Sequence, residues 1–112
     1  MLHLDLHPGS VLLTAGGPRV IDWESARAGP AGVDLATTAL IFAEVTVDGG
    51  EYARAALCML RHFARCGSEN FRPYLTEAAE VRRTFTNIDP VERDLLEEAT
   101  RVVDQVLERA GR

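Results

Sequence analysis

Near residue 30 the sequence changes character, and that change limits the folds open to it. Before it, the short aliphatic runs Val11-Leu12-Leu13 and Arg19-Val20-Ile21 flank Thr14-Ala15-Gly16-Gly17-Pro18. A Gly-Gly reversal between two such runs predicts a two-stranded hairpin. Leu2 to Leu4 is a further short strand in prospect. After residue 30, apolar residues recur at helical spacing almost to the end. A lone hairpin is marginal in water, so this one is expected to lie on the helices. The expectation is an α+β chain, mainly α, with a small β-hairpin packed on about four helices. Residues 1–112 then form one domain, with a hairpin part over 1–30 and a helical part over 31–112.

Gly29-Pro30-Ala31-Gly32 leads into a first helix expected over about Val33 to Val45. Val33, Leu35, Ala36, Ala39, Leu40, Ile41 and Ala43 cover most of its circumference, which places it at the centre. Gly49-Gly50 breaks the chain. A second helix, about Glu51 to Arg65, carries Tyr52, Ala55, Ala56, Met59 and Phe63 on one face and Arg54, Arg61 and Arg65 on the other, with Gly67 to end it. A third, about Pro73 to Phe85, turns Tyr74, Ala78, Val81 and Phe85 inward. For the last helix Asp89 is the cap, Pro90 suits the first turn and Glu92 completes a capping box. Its stripe is Val91, Leu95, Ala99, Val102, Val106 and Ala110, and Gly111 stops it.

Composition narrows the functions. The chain has 17 acidic and 12 basic residues, a net charge of −5, whereas a nucleic-acid or anionic-membrane binder wants a basic face. All 12 basic residues are arginine, so lysine chemistry is excluded. Hydrophobic residues at 46% and charged residues at 26% exclude global disorder. Cys58 and Cys66 lie eight apart in a helical segment, roughly 12 Å, beyond the ~7 Å reach of a disulfide. They read as buried structural thiols in a reducing compartment. His3, Asp5 and His7 stand where a signal peptide would be basic and then apolar. Leu35 to Val47 is interrupted by Glu44 and too short to span a bilayer. A cytoplasmic protein with neither nucleic acid nor membrane as partner is expected.

The chemistry concentrates in His3-Leu4-Asp5-Leu6-His7-Pro8-Gly9-Ser10-Val11-Leu12-Leu13 and in Val20-Ile21-Asp22-Trp23-Glu24. Asp5 and Asp22 are joined through the short hairpin and could meet at one end of it. Two carboxylates there suit a divalent cation held by oxygen, typically Mg²⁺ carrying a phosphate. As an alternative, residues 3, 5 and 7 share one face of a strand, and two imidazoles with a carboxylate suit zinc. Pro8 and Gly9 would end that strand at once. The plainest alternative is a solvated edge strand.

The first segment resembles the catalytic loop of the aminoglycoside phosphotransferase and choline kinase-like family, which shares its fold with protein kinases. The family pattern is His-x-Asp-x-x-x-x-Asn before a Val-Leu strand. Ile21-Asp22-Trp23-Glu24 matches its next strand, and Ala28-Gly29-Pro30-Ala31-Gly32-Val33-Asp34-Leu35-Ala36 its Gly-Asp-Pro-x-x-Asp-Leu-Ala stretch. The resemblance implies the C-terminal lobe of a protein kinase-like fold, with ATP and Mg²⁺ as cofactors. It implies transfer of the γ-phosphate to a hydroxyl of a small molecule: an aminoglycoside-like antibiotic, choline, an amino alcohol or a sugar. Asp5 would be the catalytic aspartate that takes the hydroxyl proton. Asp22 would bind Mg²⁺. Ser10 stands where the family has a metal-binding asparagine, and its shorter arm would reach the ion weakly or through water.

By the same resemblance, His3 and Asp34 would support the loop, Asp34 by accepting hydrogen bonds from its amides. His7 would lie near the phosphates, and Glu24 would either support the metal from behind its direct ligands or be a solvated neighbour. The family's N-terminal nucleotide lobe, with its lysine and phosphate-covering loop, is absent from these 112 residues. The isolated chain is therefore expected to be incomplete or inactive, pairing with a separate N-terminal lobe or with itself. A non-catalytic remnant or binding module of the same fold is the competing reading. Acceptor recognition would fall to carboxylates such as Glu44, Asp48, Glu51, Glu77 and Glu80, which the sequence does not place.

Overall fold

Residues 2–21, 29–66, 70–85 and 90–112 are described by the computed structural model. Two strands and four helices follow one another along them: β1 (Val11–Thr14), β2 (Gly17–Val20), α1 (Ala31–Asp48), α2 (Ala53–Arg65), α3 (Leu75–Phe85) and α4 (Pro90–Arg109). Single 3-10 turns at Pro8–Ser10 and Arg72–Tyr74 lead into β1 and α3. The mainly helical α+β architecture is the one the hydrophobic pattern predicts.

The hairpin has the expected short loop. β1 and β2 pair antiparallel with Val11 opposite Val20 and Thr14 opposite Gly17, which leaves Ala15 and Gly16 as the turn. The Thr14 hydroxyl donates to the Gly17 carbonyl at 2.6 Å. Its packing departs from expectation: most of its residues face water, with Leu12 50% and Leu13 88% exposed. Its open end is closed by the Ile21 N–H donating to the Ser10 carbonyl at 2.7 Å, and the His3 ring holds that end through the Ile21 carbonyl. Leu2 to Leu4 is not a strand either, because Leu4 turns the chain at φ +67°.

α1 is the central helix, as its apolar circumference requires, and touches each of the other three. It is longer than the pattern indicated and ends at Gly49, whose φ of +73° closes the last turn. Ala36, Ala39, Leu40 and Ala43 of α1 meet Leu60 and Ala64 of α2, Ala78 of α3, and Leu96, Val103 and Leu107 of α4 in one core. Each fully buried leucine in it contributes roughly 1.5–3 kcal/mol by leaving water.

Two helices are rotated from their expected faces. In α2 the buried residues are Ala56, Leu60 and Ala64, four apart, while Tyr52 and Met59 are 69% and 44% exposed. The same rotation corrects the cysteines: Cys58 lies two residues off the buried row and Cys66 beyond the last turn, so both thiols are exposed. In α4 the buried row is Leu96, Ala99, Val103, Val106 and Leu107, with Leu95 and Val102 at its edge. Branched and aromatic residues bracket both rows, so periodicity alone leaves the angle of contact open by about one residue. Gly67 and Asp89 lie outside the described residues, as do the side chains of Phe85, Val91 and Glu92. Among the described residues no helix is long and apolar enough to cross a membrane.

Candidate functional site

A small second core supports the motif segment. Leu2, Leu4, Val33 and Val81 pack together against Tyr74, so the loop rests on the first turn of α1 and on α3. Burial of Leu4 opposes the cost of its left-handed backbone, about 1–2 kcal/mol for a residue with a Cβ. Gly32 allows this closeness: a Cβ there would collide with the Tyr74 ring.

Asp34 clamps the loop. From the first turn of α1 its Oδ2 accepts the His3 N–H at 3.1 Å and its Oδ1 the Leu4 N–H at 2.8 Å. Leu4, left-handed immediately after these two amides, turns the chain toward Asp5. The His3 side chain braces the other side. Its Nε2 donates to the Ile21 carbonyl at 2.6 Å and its Nδ1 accepts the Asp5 N–H at 3.1 Å. One buried imidazole therefore ties the loop to the end of the hairpin.

Ser10 is also built into the loop. It is fully buried, and its hydroxyl accepts the His7 N–H at 3.0 Å while lying 2.8 Å from the His7 carbonyl and 3.2 Å from that of Asp5. A hydroxyl so engaged is turned inward rather than offered to an ion. The His7 Nδ1 accepts the Gly9 N–H at 3.1 Å, and its Nε2 approaches Asp5 Oδ1 at 3.8 Å. His3 and His7 thus spend ring nitrogens on the backbone. Among the described residues no three His, Cys, Asp or Glu side chains gather as a metal site, and the zinc alternative finds no support. Asp22 and Glu24 lie outside the described residues.

Asp5 is half-buried beside His7, and its other neighbour is one the motifs do not contain. Arg82 of α3 places Nη1 4.0 Å from Asp5 Oδ1 while its Nη2 bonds Glu44 Oε2 of α1 at 2.6 Å. Nε of the same guanidinium lies 3.4 Å from Glu44 Oε1, giving a two-pronged pair whose side chains are each 17% exposed. Of the five acceptor carboxylates considered, Glu44 alone is drawn beside Asp5 in this way. Glu80 pairs instead with Arg83, and Asp48, Glu51 and Glu77 are exposed. A local signal for Arg82 exists: it completes the helical row Leu75, Ala78, Ala79. An arginine closing an apolar row is a charge directed toward the interior, where it needs a partner.

The loop therefore presents one carboxylate on a rigid support, flanked by an imidazole and a guanidinium. Searches of the curated proteins and of the solved structures found no match. A comparison with family models matches residues 1–68 to the phosphotransferase enzyme family, a span that contains the loop, the hairpin, α1 and α2. On that match, which covers 68 of the 112 residues, the chain belongs to the phosphotransferase enzyme family.

Proposed function

We propose that the chain is the loop-bearing C-terminal lobe of a protein kinase-like phosphotransferase, acting with ATP on a hydroxyl of a small molecule. The acceptor is of the kind used by aminoglycoside phosphotransferases and choline kinases. The observation that carries this reading is the Asp34 clamp. A carboxylate spent on two consecutive loop amides, with Leu4 held left-handed directly after them, has a purpose if the next side chain must be held in place. That side chain is Asp5.

Asp5 would accept the proton of the acceptor hydroxyl as its oxygen bonds to the γ-phosphorus and the bond to the β-phosphate oxygen breaks, releasing ADP. His7 and Arg82, both near Oδ1, keep the carboxylate oriented. With Ser10 turned inward, Mg²⁺ would rest on Asp22, where it would neutralise the nucleotide phosphates. Exposure of Leu12 and Leu13 supports a face that is covered in use, by a nucleotide-binding lobe or by a second copy. Non-catalytic binding on the same fold is weakened by how much of the loop's hydrogen bonding serves to position Asp5.

The test is Asp5→Asn in a phosphate-transfer assay with labelled ATP over aminoglycosides, choline and sugars, run with and without a supplied nucleotide-binding lobe. Transfer is expected to vanish in the variant while its circular dichroism matches the parent. Turnover near that of the parent would remove Asp5 from the reaction.

A further inference from the structure

We propose that a cavity between α2 and α4, on elements that do not carry Asp5, binds a small organic phosphate with an apolar flank. This cavity of about 300 Å³ lies at the lower end of the size range of small-molecule sites. Arg61 and Arg65 of α2 face Arg109 of α4 across it, and Leu57, Val102 and Val106 supply an apolar lining. The spacing creates it: Leu57, Arg61 and Arg65 are four apart and form one row of α2.

The charge arrangement is what asks for a ligand. Arg72, Arg82 and Arg83 each meet a carboxylate, Asp104, Glu44 and Glu80. Arg61, Arg65 and Arg109 have no ion pair or side-chain hydrogen bond with a described residue, and no carboxylate lines the cavity. Basic surface continues along α2 through Arg54 and His62, again with no acidic residue. In a chain of net charge −5, with more carboxylates than guanidiniums, this is a segregated patch. Arg65 and Arg109 stand in the last turns of their helices, where a cation suits the partial negative charge. That accounts for each singly but not for Arg61, nor for all three meeting at one cavity.

Guanidinium forks match the oxygens of phosphate, and several of them favour a dianion over a monoanion. The apolar wall then selects a phosphate carried on hydrocarbon or an aromatic ring over the free ion. Binding of phenyl phosphate, inorganic phosphate and benzoate to the 112-residue chain would be measured by calorimetry with a chelator present, which keeps divalent cations from the Asp5 loop. Phenyl phosphate is expected to bind tightest, to weaken about tenfold or more in Arg61→Gln/Arg109→Gln, and to be unchanged in Asp5→Asn. Amide shifts on the parent should fall on α2 and α4, which tests the site even if the double variant misfolds.

Equal binding of the three probes, insensitivity to the double substitution, or shifts centred on the Asp5 loop would overturn the proposal. Pelleting with phosphatidylcholine vesicles, with and without phosphatidate, separates the sources of the phosphate. Phosphatidate-dependent pelleting that the double substitution abolishes places the phosphate on a lipid. Phenyl phosphate binding without pelleting makes it a soluble metabolite.

Discussion

Asp34 shows how much one side chain can organise. Its two oxygens serve two adjacent amides, so truncation leaves both N–H groups without their acceptor. Each buried donor left unsatisfied costs about 1–3 kcal/mol. Asp34→Ala is therefore expected to lower stability by about 2–4 kcal/mol in urea unfolding. Hydrogen exchange should accelerate at the His3 and Leu4 amides ahead of the α1 core. If those amides stay protected, another group holds the loop. Ser10 makes a complementary point at the same scale. Its small buried hydroxyl serves three backbone groups of the loop, a space in which the longer arm of asparagine would have to be accommodated.

Between elements, the contact of α1 with the turn ahead of α3 decides how the loop is seated. A glycine inside a helix normally costs about 1 kcal/mol against alanine, so Gly→Ala is usually stabilising there. At Gly32 the sign is expected to reverse, because the new methyl meets the Tyr74 ring. Overpacking of this kind costs about 1–3 kcal/mol, which outweighs the propensity gain. Gly32→Ala should lower the urea midpoint, and Gly32→Ala/Tyr74→Leu should recover most of the loss. Destabilisation that persists in the double variant would assign Gly32 another role.

Across the whole molecule, Arg82 joins parts of the chain that are distant in sequence. From α3 it holds Glu44 of α1 in a two-pronged pair and approaches Asp5 in the loop. Breaking such a pair from one side leaves a charge with little water around it. A double-mutant cycle of Arg82→Met and Glu44→Gln is expected to show a coupling of about 0.5–3 kcal/mol. With both side chains largely buried, the coupling should survive molar salt, which screens exposed charges beyond about 3 Å. A coupling near zero would mean that the helices alone position the guanidinium.

What the residues determine by themselves is local. The reversal in the Thr14–Pro18 stretch, the break at Gly49 and the apolar circumference of α1 are short-range preferences, and each appears in the fold, the reversal with Ala15-Gly16 as its turn. The pairing of Asp34 with the loop was legible too, through resemblance, because His3, Asp5 and Asp34 fall in recognisable motifs. Only tertiary packing decided which row of α2 and α4 turns inward, since a shift of one residue changes the hydrophobic pattern little. It exposed Cys58 and Met59 and buried Leu60. It also brought Arg82 and Glu44 to Asp5, 77 and 39 residues away along the chain. No motif spans such separations. The physical reason is that helical periodicity specifies a face, whereas a charge beside Asp5 depends on where three faces meet.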